Sequence, residues 1–291
     1  MLLAFDDEWE IAQRLARACN RTPALIERHR FPDGEMKLRL PAALPARAAV
    51  FRSLAMPNEK LVELLLAAQT ARQLGAQHLT LVAPYLGYMR QDIAFTAGEA
   101  ISQKIVGRFL AELFDCVITV DPHLHRIDSL REAVPMDSAI ALSAASLIGA
   151  FLRKHCAGAL LVGPDEESAQ WVGAAATASG LQWAVAHKVR RGDREVNIVL
   201  PGQSVEGRTV VLMDDVASTG TTLLRAAQGL RASGAGVIDV VVTHGLFVGD
   251  AVAALHAAGV ARIWSTDTVV HPTNAISVLP LLADALAQAA R

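Results

Sequence analysis

Short unbroken apolar runs alternate along this chain with longer stretches whose apolar residues recur at helical spacing. The runs are Leu79-Thr-Leu-Val-Ala-Pro84, Cys116-Val-Ile-Thr-Val-Asp121, Ala159-Leu-Leu-Val-Gly-Pro164, Thr209-Val-Val-Leu-Met-Asp214 and Gly236-Val-Ile-Asp-Val-Val-Val-Thr-His244. A strand covered on both faces loses the apolar–polar alternation of a half-exposed one, so these runs predict strands of a parallel sheet. The stretch Lys60–Leu74 predicts a helix, with Gly75 as its stop. Strands that alternate with helices define an α/β fold with helices flanking mainly parallel sheets. A faint internal echo pairs Leu81-Val-Ala-Pro84 with Leu161-Val-Gly-Pro164, and Val117–Asp121 with Val210–Asp214. It suggests one α/β domain used twice. The pattern breaks near Pro135–Ser143, before an Ala-rich helix, which sets domains at 1–141 and 142–291 with the C-terminal end packing back on the first.

Composition changes the picture only by exclusion. A length of 291 residues suits two domains, and 52% hydrophobic against 19% charged residues allows a sizeable core. The formal net charge of -2 lacks the basic excess of a nucleic-acid binder. Cys19, Cys116 and Cys156 are scattered and odd in number, which argues against a disulfide framework and fits a reducing compartment. The N-terminus turns acidic too early for a signal peptide, and no apolar run is long enough to span a membrane. The expectation is a cytoplasmic protein.

The run Val210–Met213 ends in Asp214 and Asp215, followed by Ser218, Thr219, Gly220, Thr221 and Thr222 and then by a helical pattern. In open α/β sheets the ligand crevice lies beyond the carboxyl ends of the strands. A small-residue loop there exposes successive backbone N–H groups, and the helix N-terminus adds its positive end, so the loop suits a phosphate. Two carboxylates repel phosphate and need another partner: a sugar diol, a metal, or both. A pentose 5-phosphate has both ends. Simple helix capping explains the hydroxyls but not the paired acids.

The stretch Asp214–Thr222 resembles the phosphoribosyl-pyrophosphate loop shared by type I phosphoribosyltransferases and ribose-phosphate pyrophosphokinases. Further stretches resemble the pyrophosphokinases in particular: Phe31-Pro-Asp-Gly-Glu35, Tyr88-Met-Arg-Gln-Asp92, Asp121-Pro-His-Leu-His125, Gly163-Pro-Asp-Glu-Glu167 and Lys188-Val-Arg-Arg-Gly-Asp-Arg-Glu-Val196, in family order. The resemblance implies two tandem phosphoribosyltransferase-like domains. It also implies an enzyme that moves the diphosphoryl group of ATP to the 1-hydroxyl of ribose 5-phosphate, with Mg²⁺. Phe31, Asp33, Glu35, Arg90, Gln91, Asp92 and His123 are then expected at ATP, and Asp214, Asp215, Ser218, Thr219, Gly220, Thr221 and Thr222 at ribose 5-phosphate. Lys188 and Arg190 are expected to serve the transition state. His123 and Asp165 are the expected metal positions, although Mg²⁺ prefers oxygen and His123 suits a phosphate or a metal-bound water as well.

Each stretch also has a plainer reading. Pro-Asp-Gly is a common turn signal. Arg90 offers a planar fork to a triphosphate or a surface partner to Asp92. The basic cluster lies between two apolar runs, Trp183–His187 and Val196–Leu200, which predicts a hairpin with its cations at the tip, able to close over a phosphate chain.

Ser218, Thr221 and Pro122 depart from the commonest bacterial pattern, where Asp, Gly and Leu are usual, and the Gln-rich flag after His125 is missing. The chain resembles the archaeal and divergent bacterial branches. In the family the Phe31–Glu35 loop reaches a neighbouring subunit, which implies a homodimer or larger. The competing readings are a phosphoribosyltransferase, which leaves the N-terminal motifs without a task, and a catalytically silent synthetase-associated protein.

Overall fold

A computed structural model supplies the fold; its described residues are 1–191, 195–199 and 203–289, and the side chains of 187–191 and 195–199 lie outside that description. The chain forms two compact units, Met1–Leu142 with Leu279–Arg291, and Ser143–Val278.

The first unit contains β1 (Leu2–Phe5), α1 (Trp9–Ala18), β2 (Pro23–Arg30), β3 (Met36–Arg39), β4 (Arg47–Phe51), α2 (Pro57–Gln73), β5 (His78–Val82), α3 (Ser102–Leu113), β6 (Cys116–Val120), α4 (Leu130–Ala133) and β7 (Ala139–Leu142). Its sheet has the order β3-β2-β1-β4-β5-β6-β7. All neighbours are parallel except β2 and β3, which form an antiparallel ribbon. The second unit contains α5 (Ala145–His155), β8 (Leu160–Gly163), α6 (Ala169–Ser179), β9 (Gln182–Val185), β10 (His187–Arg191), β11 (Glu195–Val199), β12 (Thr209–Ala217), α7 (Thr221–Ala232), β13 (Val237–Gly245), α8 (Ala251–Ala257), β14 (Val260–Thr266) and β15 (Asn274–Ile276). Its sheet is parallel throughout, in the order β15-β14-β13-β12-β8-β9, and β10 and β11 form a separate antiparallel ribbon. The last helix, α9 (Leu279–Gln288), packs on α1 in the first unit.

The apolar runs are the cores of these sheets. Leu79, Leu81, Val117, Leu160, Leu161, Val210, Leu212, Val240 and Val242 are fully buried. Each such side chain contributes about 1.5–3 kcal/mol relative to an exposed one. The strands predicted from continuous apolar runs all form, within a residue or two at their starts and up to three at their ends. The predicted hairpin differs. Trp183 and its neighbours form β9, a sheet strand paired with β8, and the ribbon begins only at His187. Lys188 and Arg190 therefore lie on the strand β10, because residues 182–185 complete the sheet edge instead.

The two units repeat one topology. In each, the first strand lies inside the sheet, the second lies on one flank, and later strands add outward from the first strand's other flank; the antiparallel ribbon includes the second strand in the first unit and is separate from the sheet in the second. The equivalent pairs are β1 with β8, β2 with β9, β4 with β12, β5 with β13, β6 with β14 and β7 with β15. This corrects the echo read from sequence, which matched β5 to β8 and β6 to β12. The true counterpart of Leu160-Leu161-Val162-Gly163 is Leu2-Leu3-Ala4-Phe5, and each is followed by an acidic turn and a helix. Apolar tetrapeptides in an Ala- and Leu-rich chain are too common for local similarity to select the right partner.

Candidate functional site

In the second unit, β12 and β8 pair through Val210–Leu160, Val211–Leu161 and Leu212–Val162. This brings Asp214 and Asp215, just past the paired stretch, beside the turn after β8 that holds Asp165. Asp215 is buried and Asp214 and Asp165 are partly buried. Burial pushes the Asp214 carboxyl well above the usual carboxylate range, and the like charges of Asp215 and Asp165 push it the same way. The strand end is thus an acidic cluster in which a proton on Asp214 is favoured.

Gly220 then turns the chain with φ +70, a left-handed conformation that disfavours any residue with a Cβ. It occupies the N-cap of α7, so no side chain claims the first-turn amides of that helix. Those amides and the positive end of the helix dipole are the arrangement that the sequence reading expected to suit an anion. Thr219 Oγ1 and Thr221 Oγ1 lie 2.9 Å apart, both residues exposed, and Thr222 is exposed beside them. The segment after β13 braces the loop from behind: Leu246 N and Phe247 N each donate to the Ala217 carbonyl at 3.0 Å, and Val248 N donates to the Ser218 carbonyl at 2.8 Å. Phe247 has φ +36 to make this contact. Sequence reading missed the brace, because its bonds use backbone atoms and leave no residue-type signature.

The first unit holds the other predicted residues. Phe31, Asp33 and Glu35 are exposed on the turn joining β2 and β3. Phe31 N donates to the Glu35 carbonyl at 2.8 Å, Gly34 N donates to the Phe31 carbonyl at 2.9 Å, and one Asp33 oxygen accepts from Glu35 N at 3.2 Å. The edge of the His29 ring meets Phe31 at 4.8 Å between centroids. Arg90 is exposed beyond β5, and Gln91 donates to the Ile93 carbonyl at 2.9 Å. Asp92 does not pair with Arg90. Its buried carboxylate accepts from Arg126 Nη1 at 2.7 and 2.9 Å, which ties the Tyr88–Asp92 loop to the turn after β6. Arg126 carried no signal in the sequence, since its partner is 34 positions away. His123 and His125 follow the buried Asp121 and stack edge to face, 3.8 Å between centroids. The side chains of Lys188 and Arg190 lie outside the described residues.

Among the described residues no group of three or more His, Cys, Asp or Glu side chains is placed to hold a metal ion on its own. The oxygen donors nearest to that role are Asp165, Asp214 and Asp215. Their mutual repulsion suits a hard divalent cation that keeps water and arrives with substrate phosphates.

An α/β unit with this strand order, an acidic strand end and an uncapped small-residue loop is of the phosphoribosyltransferase type; the first unit repeats the strand order without the acidic strand end or the loop. Residues 1–113 match the family described as the N-terminal domain of ribose phosphate pyrophosphokinase, and residues 179–281 match the phosphoribosyl synthetase-associated domain. The ribose-phosphate pyrophosphokinase of Methanopyrus kandleri is 36% identical over 98% of this chain and 98% of its own. That of Methanothermobacter thermautotrophicus is 31% identical over 98% and 99%. The crystal structure of phosphoribosylpyrophosphate synthetase from Mycobacterium smegmatis superposes with a TM-score of 0.86 at 26% identity, covering 100% of this chain and 98% of that one. The chain belongs to the ribose-phosphate pyrophosphokinase family.

Proposed function

We propose that this protein is an enzyme that transfers the β,γ-diphosphoryl group of ATP to the 1-hydroxyl of ribose 5-phosphate, giving 5-phosphoribosyl 1-diphosphate and AMP. One observation carries the reading: the acidic end of β12 runs into an uncapped helix N-terminus, in a chain that matches pyrophosphokinases end to end. Neither competing reading is favoured. A phosphoribosyltransferase leaves the first unit without a task, and a silent partner needs none of the acidic residues that this chain keeps.

Ser218–Thr222 hold the 5-phosphate through amides and hydroxyls. Asp214 and Asp215 hold the ribose hydroxyls. Phe31 stacks on the purine, while Asp33 and Glu35 accept from its amino group or meet the ribose. Arg90, Gln91 and His123 hold the nucleotide's polar end. Asp92 acts through Arg126, which fixes the loop that presents Arg90. Lys188 and Arg190 offset charge that develops on the transferred group; catalysis of this kind is mostly positioning and neutralisation. Mg²⁺, when bound, supplies neutralisation of the phosphate charges. Asp165, Asp214 and Asp215 are the donors that fit it, and His123 suits a phosphate better than the metal.

Exposed apolar residues along α2, namely Val62, Leu65 and Leu66 with Met56 at its start, support a homo-oligomer. No helix among the described residues is long and apolar enough to cross a membrane, and the cysteines are free, which supports a cytoplasmic setting. The test is incubation with ribose 5-phosphate, Mg²⁺ and ATP. AMP must form only when the sugar phosphate is present; ADP in its place means a simple kinase and overturns the reading.

A further inference from the structure

The turn Phe31–Glu35 sits on a ribbon that the sheet itself does not hold. β1 pairs with β2 only from Pro23 to Ile26. Beyond that, residues 27–30 pair with β3 alone, through Glu27–Arg39, Arg28–Leu38, His29–Lys37 and Arg30–Met36. An isolated two-stranded ribbon is marginal in water. This one must be held from the side for its turn to keep one position.

The lateral hold is partly apolar, through Leu38 against the core, and partly ionic. Arg28 and Arg30 are two residues apart and share a face of β2, while Glu59 and Glu63 are four apart and share a face of α2. Arg28 Nη1 donates to Glu63 Oε1 at 2.5 Å, and Arg30 pairs with Glu59. Arg28 Nη2 also reaches Asp6 at 2.8 Å. Glu63 is 1% exposed and its second oxygen accepts from Arg52, itself 1% exposed. Arg52 lies over the Phe5 ring at 4.5 Å and donates to Asp7 at 2.6 Å and Glu8 at 3.0 Å. The ribbon is therefore tied through one buried carboxylate to the ends of the two central strands, β1 and β4.

We propose that Arg28 and Glu63 form a latch that fixes the β2–β3 ribbon and so positions the Phe31–Glu35 turn. Its effect on nucleotide affinity rests on the reading of that turn as a purine clamp. Both are positioning residues and touch no substrate.

The test uses the full-length protein in its native assembly. Arg28→Met is the variant of choice, because Glu63 keeps Arg52 as a partner and the core network survives. Amide exchange in residues 27–39 should rise about tenfold or more while β4, β5 and β6 stay protected. KM for ATP should rise about tenfold, with KM for ribose 5-phosphate and kcat nearly unchanged. Arg28→Lys should recover part of both effects. Wild-type protection of residues 27–39 in Arg28→Met overturns the latch. Phe31→Ala separates the two ideas. If it raises KM for ATP and Arg28→Met does not, the positioning role fails. If neither raises it but the ribbon loosens, the latch stands and the clamp reading of Phe31 fails.

Discussion

The same place in the repeated topology is built in opposite ways in the two units. In the second, the end of β12 presents Asp214 and Asp215, and the charges that act on Asp214 are other acids. In the first, β1 and β4 pair through Leu2–Ala49, Leu3–Val50 and Ala4–Phe51, which puts Arg52 at the register of Met213 and Ser53 at that of Asp214. The acids there sit on the turn after β1 and are met by cations: Asp7 and Glu8 by Arg52, and Glu8 by Lys60 at 3.8 Å. The helix starts differ as well. Gly220 and Met56 both take left-handed N-cap conformations, but α2 begins with Pro57, which has no N–H to offer an anion. One strand end sets acid beside acid at Asp214. The other has been filled with its own counter-ions and serves as an anchor.

The comparison breaks most visibly in catalysis. Lys188→Ala and Arg190→Ala should each lower turnover by about a hundredfold to a thousandfold, roughly 3–4 kcal/mol, with little change in stability. Near-normal steady-state rates in either variant remove the basic ribbon from the mechanism.

The filled crevice should fail through folding instead. Arg52→Leu leaves Glu63 and Glu8 buried with reduced compensation and should cost about 3–5 kcal/mol, read by urea unfolding. A loss below about 1 kcal/mol would mean that the network contributes no more than an exposed ion pair.

The open crevice should respond the other way. Asp214→Asn removes a carboxylate that its surroundings oppose, so Tm at neutral pH should rise by about 2–4 °C while activity is lost. A fall in Tm would show that Asp214 is already compensated in the free protein.

The smallest effect is on pH dependence. Folded Asp214 keeps its proton at pH values where the unfolded side chain, ordinarily titrating at 3.8, has lost it. The folded state then binds more protons, so this group's contribution to stability falls as pH rises from 3.8 through the raised folded value. Asp214→Asn should flatten that part of the curve. Glu8 has the same sign, since burial raises its carboxyl despite Lys60 and Arg52.

Much of this was legible from residues alone. The strands β5, β6, β8, β12 and β13 could be read because continuous apolar runs have few other uses. The strand-to-helix placement of Asp214–Thr222 could be read because an apolar run precedes the paired acids and a helical pattern follows the small hydroxyl residues. The short strands β1 and β4 could not be read as readily, and the run at Trp183 reads as a strand but with the wrong partner. Four or five residues of Leu, Ala and Val fit a helix as well as a strand, and sheet neighbours decide between them.

What the chain determined by itself is the chemistry available: the anion loop, the acids beside it, the aromatic turn and the order in which they occur. The tertiary structure decided which groups are spent on each other. Asp92 meets Arg126 across 34 positions, and Arg28 meets Glu63 across 35. Charge pairing depends on distance in space, and the Coulomb interaction takes no account of separation along the chain. A sequence therefore shows the charges, and only the fold shows which of them remain for a ligand.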